Sequence, residues 1–68
     1  MLITVNGQTM DVEAGITIDG LLAKLNVGRE YTAVAVNREI TPKGEYASLA
    51  LRDGDKVEVV RPMGGGAR

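Results

Sequence analysis

Apolar and polar residues alternate in two short runs near the start of the chain, residues 2–6 and residues 8–13. Because a period of two places alternate side chains on opposite faces of a strand, both runs are predicted to be β-strands with one apolar face. The Asn6-Gly7 pair between them favours a type I′ turn, since both residue types tolerate a positive φ. Together they predict a β-hairpin whose inward side chains are Ile3, Val5, Met10 and Val12.

After the hairpin the apolar spacing changes to three and four residues, which predicts one amphipathic helix. Its apolar stripe comprises Ile18, Leu21, Leu22 and Leu25. Thr17 is expected to cap the start of the helix, and Asp19 to place a negative charge in the first turn. Asn26 and Gly28 are expected to end it in a left-handed conformation. Gly20 costs the helix about 1 kcal/mol relative to alanine, and we expect it to allow a close approach of helix and sheet.

The second half of the chain predicts two further strands, residues 33–37 and residues 56–61. The side chains expected to face inward are Val34, Val36, Val57 and Val59. Those expected to face outward are Ala33, Ala35, Lys56, Glu58 and Val60. Pro62 ends the last strand because it lacks the backbone donor that pairing needs.

The connection between these strands, residues 38–46, contains proline and glycine and is predicted to be irregular. Within it, Ile40 and Tyr46 are expected to contact the core. Leu49 and Leu51 are expected to form a short strand before the Arg-Asp-Gly-Asp turn that precedes the last strand.

This order of elements predicts an α+β fold of the β-grasp type, in which one main helix packs on one face of a mixed sheet of four to five strands. The first and last strands are expected to run parallel at the centre of the sheet, because the whole helical segment serves as the crossover between them. We expect a β-grasp domain over residues 1–62 and a flexible glycine-rich tail over residues 63–68.

Composition excludes several functions for a chain of 68 residues with a net charge of -1. Nucleic acid is an unfavourable partner, since there is no excess of positive charge to neutralise phosphates. Cys and His are both absent, which removes the commonest nucleophiles, general bases and metal ligands, so we predict neither an enzyme nor a metal site. The first residues carry neither a basic stretch nor a long apolar run, so we expect a cytoplasmic protein without a membrane segment.

The last five residues, Gly-Gly-Gly-Ala-Arg, follow the final predicted strand closely. Three glycines lose much conformational freedom on ordering and gain no packing in return, which indicates a reason outside the fold. The interpretation we favour is that Gly66 delivers a C-terminal carboxylate to a partner enzyme after Ala67 and Arg68 have been removed. The alternative is an ordinary frayed terminus.

Five short motifs carry a resemblance that extends over about residues 1–66. They are Val5-Asn6-Gly7, Leu21-Leu22, Val36-Asn37-Arg38-Glu39, Asp53-Gly54-Asp55 and Gly65-Gly66. Each motif is common by itself, but their joint spacing resembles that of the ubiquitin-like sulfur carriers of the ThiS type, which serve thiamin biosynthesis.

The resemblance implies a specific chemistry for the tail. The terminal glycine would be adenylated by an E1-like adenylyltransferase that uses ATP, converted to a thiocarboxylate, and would give its sulfur to thiazole synthase. By position, Gly66 is the modified residue, with Gly64 and Gly65 as the arm before it. The family usually ends at the glycine pair, and this departure leaves three explanations open. A trimming peptidase cleaves between Gly66 and Ala67, which is the explanation we favour, or the protein is not a sulfur donor, or the last two residues are an engineered addition. No cofactor is expected to bind the carrier itself.

The outward face of the sheet is the candidate docking surface for these partners. Ala33, Ala35 and Val60 are expected to form a low apolar patch beside the tail. Arg61 is expected to pair with an acidic groove, or only to be solvated as a lone charge usually is. Met63 is expected to anchor in a pocket of the partner, or only to fray. The alternative is that the alanines only fit the pleat of the sheet.

Two other functions remain compatible with the same residues. One is a sulfur carrier for another pathway, such as molybdopterin, cysteine or methionine, or secondary metabolism. The other is a β-grasp interaction module whose tail has no chemistry. The mass of the chain isolated from cells distinguishes a thiocarboxylate carrier from a passive module.

Overall fold

The computed structural model describes residues 1–60, in which a five-stranded mixed sheet carries one α-helix on one face. The elements are β1 (Leu2–Val5), β2 (Gln8–Asp11), α1 (Ile18–Lys24), β3 (Ala33–Val36), β4 (Glu39–Ile40) and β5 (Lys56–Val60). Single 3-10 turns span Arg29–Tyr31 and Lys43–Glu45. This arrangement confirms the predicted α+β, β-grasp fold. The division into residues 1–62 and a tail stays a prediction, because the tail lies outside the described residues.

The last strand, β5, lies at the centre of the sheet, whose strand order is β2-β1-β5-β3-β4. Strand β1 runs parallel to it, with Thr4 opposite Lys56, whereas β3 runs antiparallel, with Ala33 opposite Val60. The other neighbouring pairs, β1 with β2 and β3 with β4, are antiparallel. The predicted parallel pairing of the first and last strands is therefore confirmed, and β5 points its carboxyl end out of the middle of the sheet.

The first hairpin forms as its sequence predicts. Asn6 and Gly7 have φ values of 50° and 83°, which a type I′ turn requires at both central positions. Ile3 is opposite Met10 in the register, so the apolar side chains of both strands lie on the face that α1 covers.

Helix α1 begins at a side-chain cap and ends at a left-handed residue. The Thr17 hydroxyl oxygen accepts a hydrogen bond from the Gly20 N–H at 3.1 Å, and Asp19 lies in the first turn, both as predicted. Asn26 has a φ of 60°, but Gly28 has a φ of -76° and takes no part in the left-handed stop. The expectation for Gly28 was therefore wrong.

Gly20 has a close neighbour other than the sheet we expected. A β-carbon at this position would lie 3.0 Å from Cγ1 of Ile16, in the loop that leads into the helix. The small residue thus lets this loop fold back on the first turn of α1, which corrects the expectation of a close approach of helix and sheet.

The core lies between α1 and the inner face of the sheet. Its buried side chains are Ile3, Val5, Val12, Ile16, Ile18, Leu21, Leu22, Val34, Tyr46, Leu51 and Val57. Tyr46 was expected there, and its hydroxyl donates a hydrogen bond to the Thr32 carbonyl at 3.2 Å. A buried hydroxyl needs such a partner, since an unpaired one is costly.

Two expectations for the connecting segment were wrong. Residues 38–46 are not wholly irregular, because Glu39–Ile40 pairs with β3 as a short edge strand, and Ile40 is 74% exposed instead of contacting the core. Leu49 and Leu51 do not form a strand: only their neighbour Ala50 makes an isolated bridge, to Thr17. Leu51 is nevertheless buried, so the leucine pair contributes to the core without regular pairing.

Candidate functional site

The predicted site residues divide into a described set and an undescribed set. Ala33, Ala35 and Val60 lie within residues 1–60 and share the outer face of the sheet. The remaining predicted site residues lie outside the described residues: Arg61, Met63, Gly64, Gly65, Gly66 and Ala67. Their roles stay predictions, and the described part of the site is the outer face of the sheet beside the end of β5.

An apolar surface covers the outer face beside the end of β5. Val60 is 61% exposed and lies opposite Ala33, while Ala35 lies opposite Ile40. Opposed residues of neighbouring strands point to the same face, so these four side chains form one surface, which we call the outer patch. The predicted patch of Ala33, Ala35 and Val60 thereby gains a fourth and more exposed member, Ile40.

A cleft of about 440 Å³ extends the outer patch around the edge of the sheet. It is bounded by Ala33 and Ile40 on the strands and by Pro42 and Lys43 on the loop that follows β4. The surface of this cleft is mainly apolar, so the patch offers both a flat area and a recess to an apolar partner side chain.

Charged residues border the outer patch along β5. Glu58 lies opposite Ala35, and Lys56 is exposed two positions earlier on the same face. Arg38, in the turn between β3 and β4, lines a depression of mixed polar and apolar surface together with both of them. The outer face along β5 is therefore apolar near the end of the strand and charged near its start.

The end of β5 is held from the β1 side by the side chain of Asn6. Its Oδ1 accepts a hydrogen bond from the Val59 N–H at 2.9 Å, and its Nδ2 donates one to the Val59 carbonyl at 3.2 Å. The backbone N–H of Asn6 also donates to the Val57 carbonyl at 2.9 Å. We call the two side-chain hydrogen bonds the Asn6 clamp.

The start of β5 is held in a similar way by Asn37, in the second hairpin turn. Its Oδ1 accepts from the Lys56 N–H at 3.1 Å, and its Nδ2 donates to the Asp55 carboxylate at 3.1 Å. Asn37 and Arg38 have φ values of 51° and 73°, so this turn also has a left-handed backbone at both central positions. Asparagine is the residue besides glycine that adopts this conformation most readily.

Sequence reasoning missed Ile40 as a member of the outer patch, and it missed the hydrogen bonds that both asparagine side chains make to β5. The signal for Ile40 was its place three residues after Asn37, because a two-residue left-handed turn sends the chain back as a hairpin. Asn6 was assigned to a turn by its backbone preference alone, whereas Asn37 was wrongly assigned to the end of the third strand, which stops at Val36. The hydrogen bonds of their side chains depend on where β5 lies, which the local sequence does not specify.

The described residues present an exposed apolar surface beside the end of the central strand. Within residues 1–60 no group of three or more His, Cys, Asp or Glu side chains is placed to hold a metal ion. No helix in this part of the chain is long and apolar enough to cross a membrane. What the described residues provide is a rigid sheet, an apolar patch on it and a firmly held central strand that leads into the tail.

Comparison with known proteins agrees with this description. The model of the ThiS family matches residues 3–66. The sulfur carrier protein ThiS of Escherichia coli is 33% identical over 66 residues, which cover 97% of this chain and 100% of the relative. The crystal structure of the thiamine biosynthesis protein ThiS from Geobacter metallireducens superposes with a TM-score of 0.83 at 35% identity and covers 97% of this chain and 100% of that one.

A longer relative is also similar. A thiazole synthase of Paramagnetospirillum magneticum is 42% identical over 67 residues, or 98% of this chain. The chain spans only 21% of that protein's length, about a fifth, as it does for a second thiazole synthase, from Magnetococcus marinus.

The fold and the outer patch together define a ubiquitin-like β-grasp domain with an exposed apolar surface beside its central strand. The chain belongs to the ThiS family, which matches nearly its whole length. This membership confirms the resemblance stated from the sequence.

Proposed function

We propose that this chain carries sulfur as a thiocarboxylate on Gly66 and delivers it to thiazole formation in thiamin biosynthesis. The observation that carries the proposal is that the family match continues to residue 66, six positions after the end of β5. Six extended residues span about 20 Å at most. Gly66 therefore lies at the end of an arm long enough to enter a partner's active site while the β-grasp body stays outside.

The chemistry assigns every catalytic group to partner proteins. A carboxylate is a poor electrophile, so the Gly66 carboxylate first attacks the α-phosphorus of ATP in an E1-like adenylyltransferase, and pyrophosphate leaves. Sulfide supplied by the partner machinery then attacks the acyl carbon, AMP leaves, and the product is the thiocarboxylate of Gly66. The carrier needs no bound cofactor for these steps, which agrees with a sequence that lacks both Cys and His.

The carboxylate at Gly66 exists only after the peptide bond between Gly66 and Ala67 has been hydrolysed. We propose that a peptidase performs this cleavage. Gly64 and Gly65 precede the new terminus, and their lack of a β-carbon suits a narrow channel that excludes larger residues. Selection of the substrate by the partner would then be steric.

The outer patch is the proposed contact between the body and the E1-like enzyme. Its exposed Ile40 and Val60 offer apolar area beside the point where the tail begins. Arg61 and Met63, in the tail, are proposed to pair with an acidic groove and to fill an apolar pocket. An E1-like enzyme that binds the body and the tail together restricts the orientations in which Gly66 reaches the nucleotide.

Thiazole synthase is the proposed sulfur acceptor because two thiazole synthases contain a region similar to this chain. A carrier region within an acceptor enzyme places the thiocarboxylate at high effective concentration near the site that consumes it. This similarity favours thiamin biosynthesis over the other sulfur-carrier pathways.

ATP–pyrophosphate exchange with the E1-like adenylyltransferase of the same organism tests the proposal. We expect exchange with the form that ends at Gly66 and none with the chain that continues through Arg68, because only the former has a carboxylate on Gly66. A form ending in Gly66→Ala is the matched control: it keeps the carboxylate, adds a β-carbon and should support far less exchange. Equal exchange with the forms ending at Gly66 and at Arg68 would contradict the proposal.

A further inference from the structure

We propose that Asn6 is a positioning residue for activation of the tail: its clamp on Val59 fixes the direction in which the chain leaves the sheet after Val60. The inference rests on the proposed function, since it concerns how the arm that carries Gly66 is aimed. It adds a role for a residue in the first hairpin turn, far from the tail in sequence but adjacent to its origin in the fold.

The Asn6 side chain replaces a backbone hydrogen bond at the point where β1 ends. In a parallel ladder that continued from the pairing of Thr4 with Lys56, the Val59 N–H would donate to the main-chain carbonyl of Asn6. The left-handed backbone of Asn6 turns the chain away at this position, with a φ of 50°. Its Oδ1 takes the hydrogen bond instead, at 2.9 Å from the Val59 nitrogen.

The Asn6 clamp therefore extends the hydrogen bonding on the β1 side of β5 by two residues, from Val57 to Val59. Without it, the last hydrogen bond from β1 is the one that the Asn6 N–H donates to Val57. The end of β5 would then be paired on one side only, with β3, where Ala33 lies opposite Val60. A strand held on one edge can rotate about that edge, and Gly66 lies only seven positions after Val59.

Because the arm is rich in glycine, we expect the Asn6 clamp to affect how Gly66 is placed for its activation. Gly64, Gly65 and Gly66 impose little direction of their own, because glycine has the widest range of backbone conformations. The direction of the arm is then set mainly by the last firmly held residues of β5. Small errors in the placement of a reacting group lower rates steeply, whereas they leave contacts of the body with a partner intact.

Asn37 provides a matched control for the same substitution at the opposite end of β5. Its N–H donates to the Lys56 carbonyl at 2.7 Å and its Oδ1 accepts from the Lys56 N–H. It too stands in a left-handed turn and replaces its own main-chain acceptor with its side chain. Replacing either asparagine with glycine removes the side chain while keeping a residue that accepts a positive φ.

The test compares Asn6→Gly and Asn37→Gly in the form that ends at Gly66, which keeps all the core residues named above. In ATP–pyrophosphate exchange with the E1-like adenylyltransferase, we expect Asn6→Gly to lower kcat about tenfold with little change in the KM for the carrier. Asn37→Gly should leave both values within about twofold of the unsubstituted form. An equal loss of kcat in both variants, or no loss in either, would overturn the positioning role.

A conservative variant separates positioning from general loosening of the fold. Asn6→Asp keeps an acceptor for the Val59 N–H and tolerates a positive φ, so it should restore part of the kcat that Asn6→Gly loses. If Asn6→Asp were as impaired as Asn6→Gly while the Val59 N–H stayed protected from exchange, the acceptor would not be what positions the arm, and the inference would fail.

Amide hydrogen exchange measured by NMR tests the clamp independently of any partner. The Val59 N–H should exchange faster in Asn6→Gly, and the Lys56 N–H faster in Asn37→Gly, each without a matching change at the other end of β5. Unaltered exchange at Val59 in Asn6→Gly would refute the clamp itself. If the unsubstituted form ending at Gly66 supports no ATP–pyrophosphate exchange, the proposed function fails, and the role of Asn6 in activation fails with it. The amide hydrogen exchange of Val59 still decides whether the Asn6 clamp exists.

Discussion

Two valines on the central strand differ greatly in burial because they lie on opposite faces of the sheet. Val57 faces α1 and is 1% exposed, whereas Val60, three positions later, faces outward and is 61% exposed. The same residue type therefore stabilises the core at one position and belongs to the proposed docking surface at the other. The alternation of a β-strand is what allows a stable body and a recognition surface to lie within five residues.

The largest effect on stability is expected from the inner valine. Val57→Ala removes two buried methyl groups and leaves a cavity, which should lower the free energy of unfolding by roughly 2 to 3 kcal/mol. A domain of this size has only about 3 to 10 kcal/mol in total. Thermal unfolding followed by circular dichroism should show a fall in Tm of roughly 10 to 20 °C. A shift of less than a few degrees would contradict the assignment of Val57 to the core.

A smaller effect, on binding instead of folding, is expected from the outer valine. Val60→Asp places a charge in the outer patch and should raise the Kd for the E1-like adenylyltransferase about tenfold, since a charge buried in an apolar contact is unfavourable. The Tm should change little, because Val60 has few neighbours to lose. Titration calorimetry with the folded variant measures the Kd directly.

Thr9→Asp is the control for this second prediction. Thr9 is exposed on the same outer face but on β2, two strands away from β5. The substitution Thr9→Asp therefore adds the same charge outside the outer patch. Its Kd should stay near that of the unsubstituted chain. Equal weakening by both substitutions would show that the effect is one of net charge, and no weakening by Val60→Asp would show that the outer patch is not the contact.

The parts of the fold that follow from local pattern were predictable from the sequence. Alternation assigned the inner and outer faces of β1, β3 and β5 correctly, and the Asn6-Gly7 pair specified the first turn. The helix and its Thr17 cap followed from spacing and residue type. Each of these features depends on neighbours within a few positions, for which periodicity and turn preferences are informative.

The errors concern positions whose environment is set by distant partners. Ile40 is apolar and follows a turn, yet its face is decided by its pairing with Ala35, so it joined the outer patch instead of the core. Leu51 is buried without belonging to a strand, because the loop is held through the bridge of Ala50 to Thr17. The Asn6 clamp likewise needs Val59, more than fifty residues later.

The mass of the native chain isolated from cells growing without thiamin tests whether Gly66 carries sulfur after Ala67 and Arg68 have been removed. We expect a species whose last residue is Gly66 and whose mass is increased by the replacement of one oxygen with sulfur. Intact-mass spectrometry resolves both changes in one measurement. If the bond between Gly66 and Ala67 is always intact, or if the species ending at Gly66 never carries sulfur, the account is wrong.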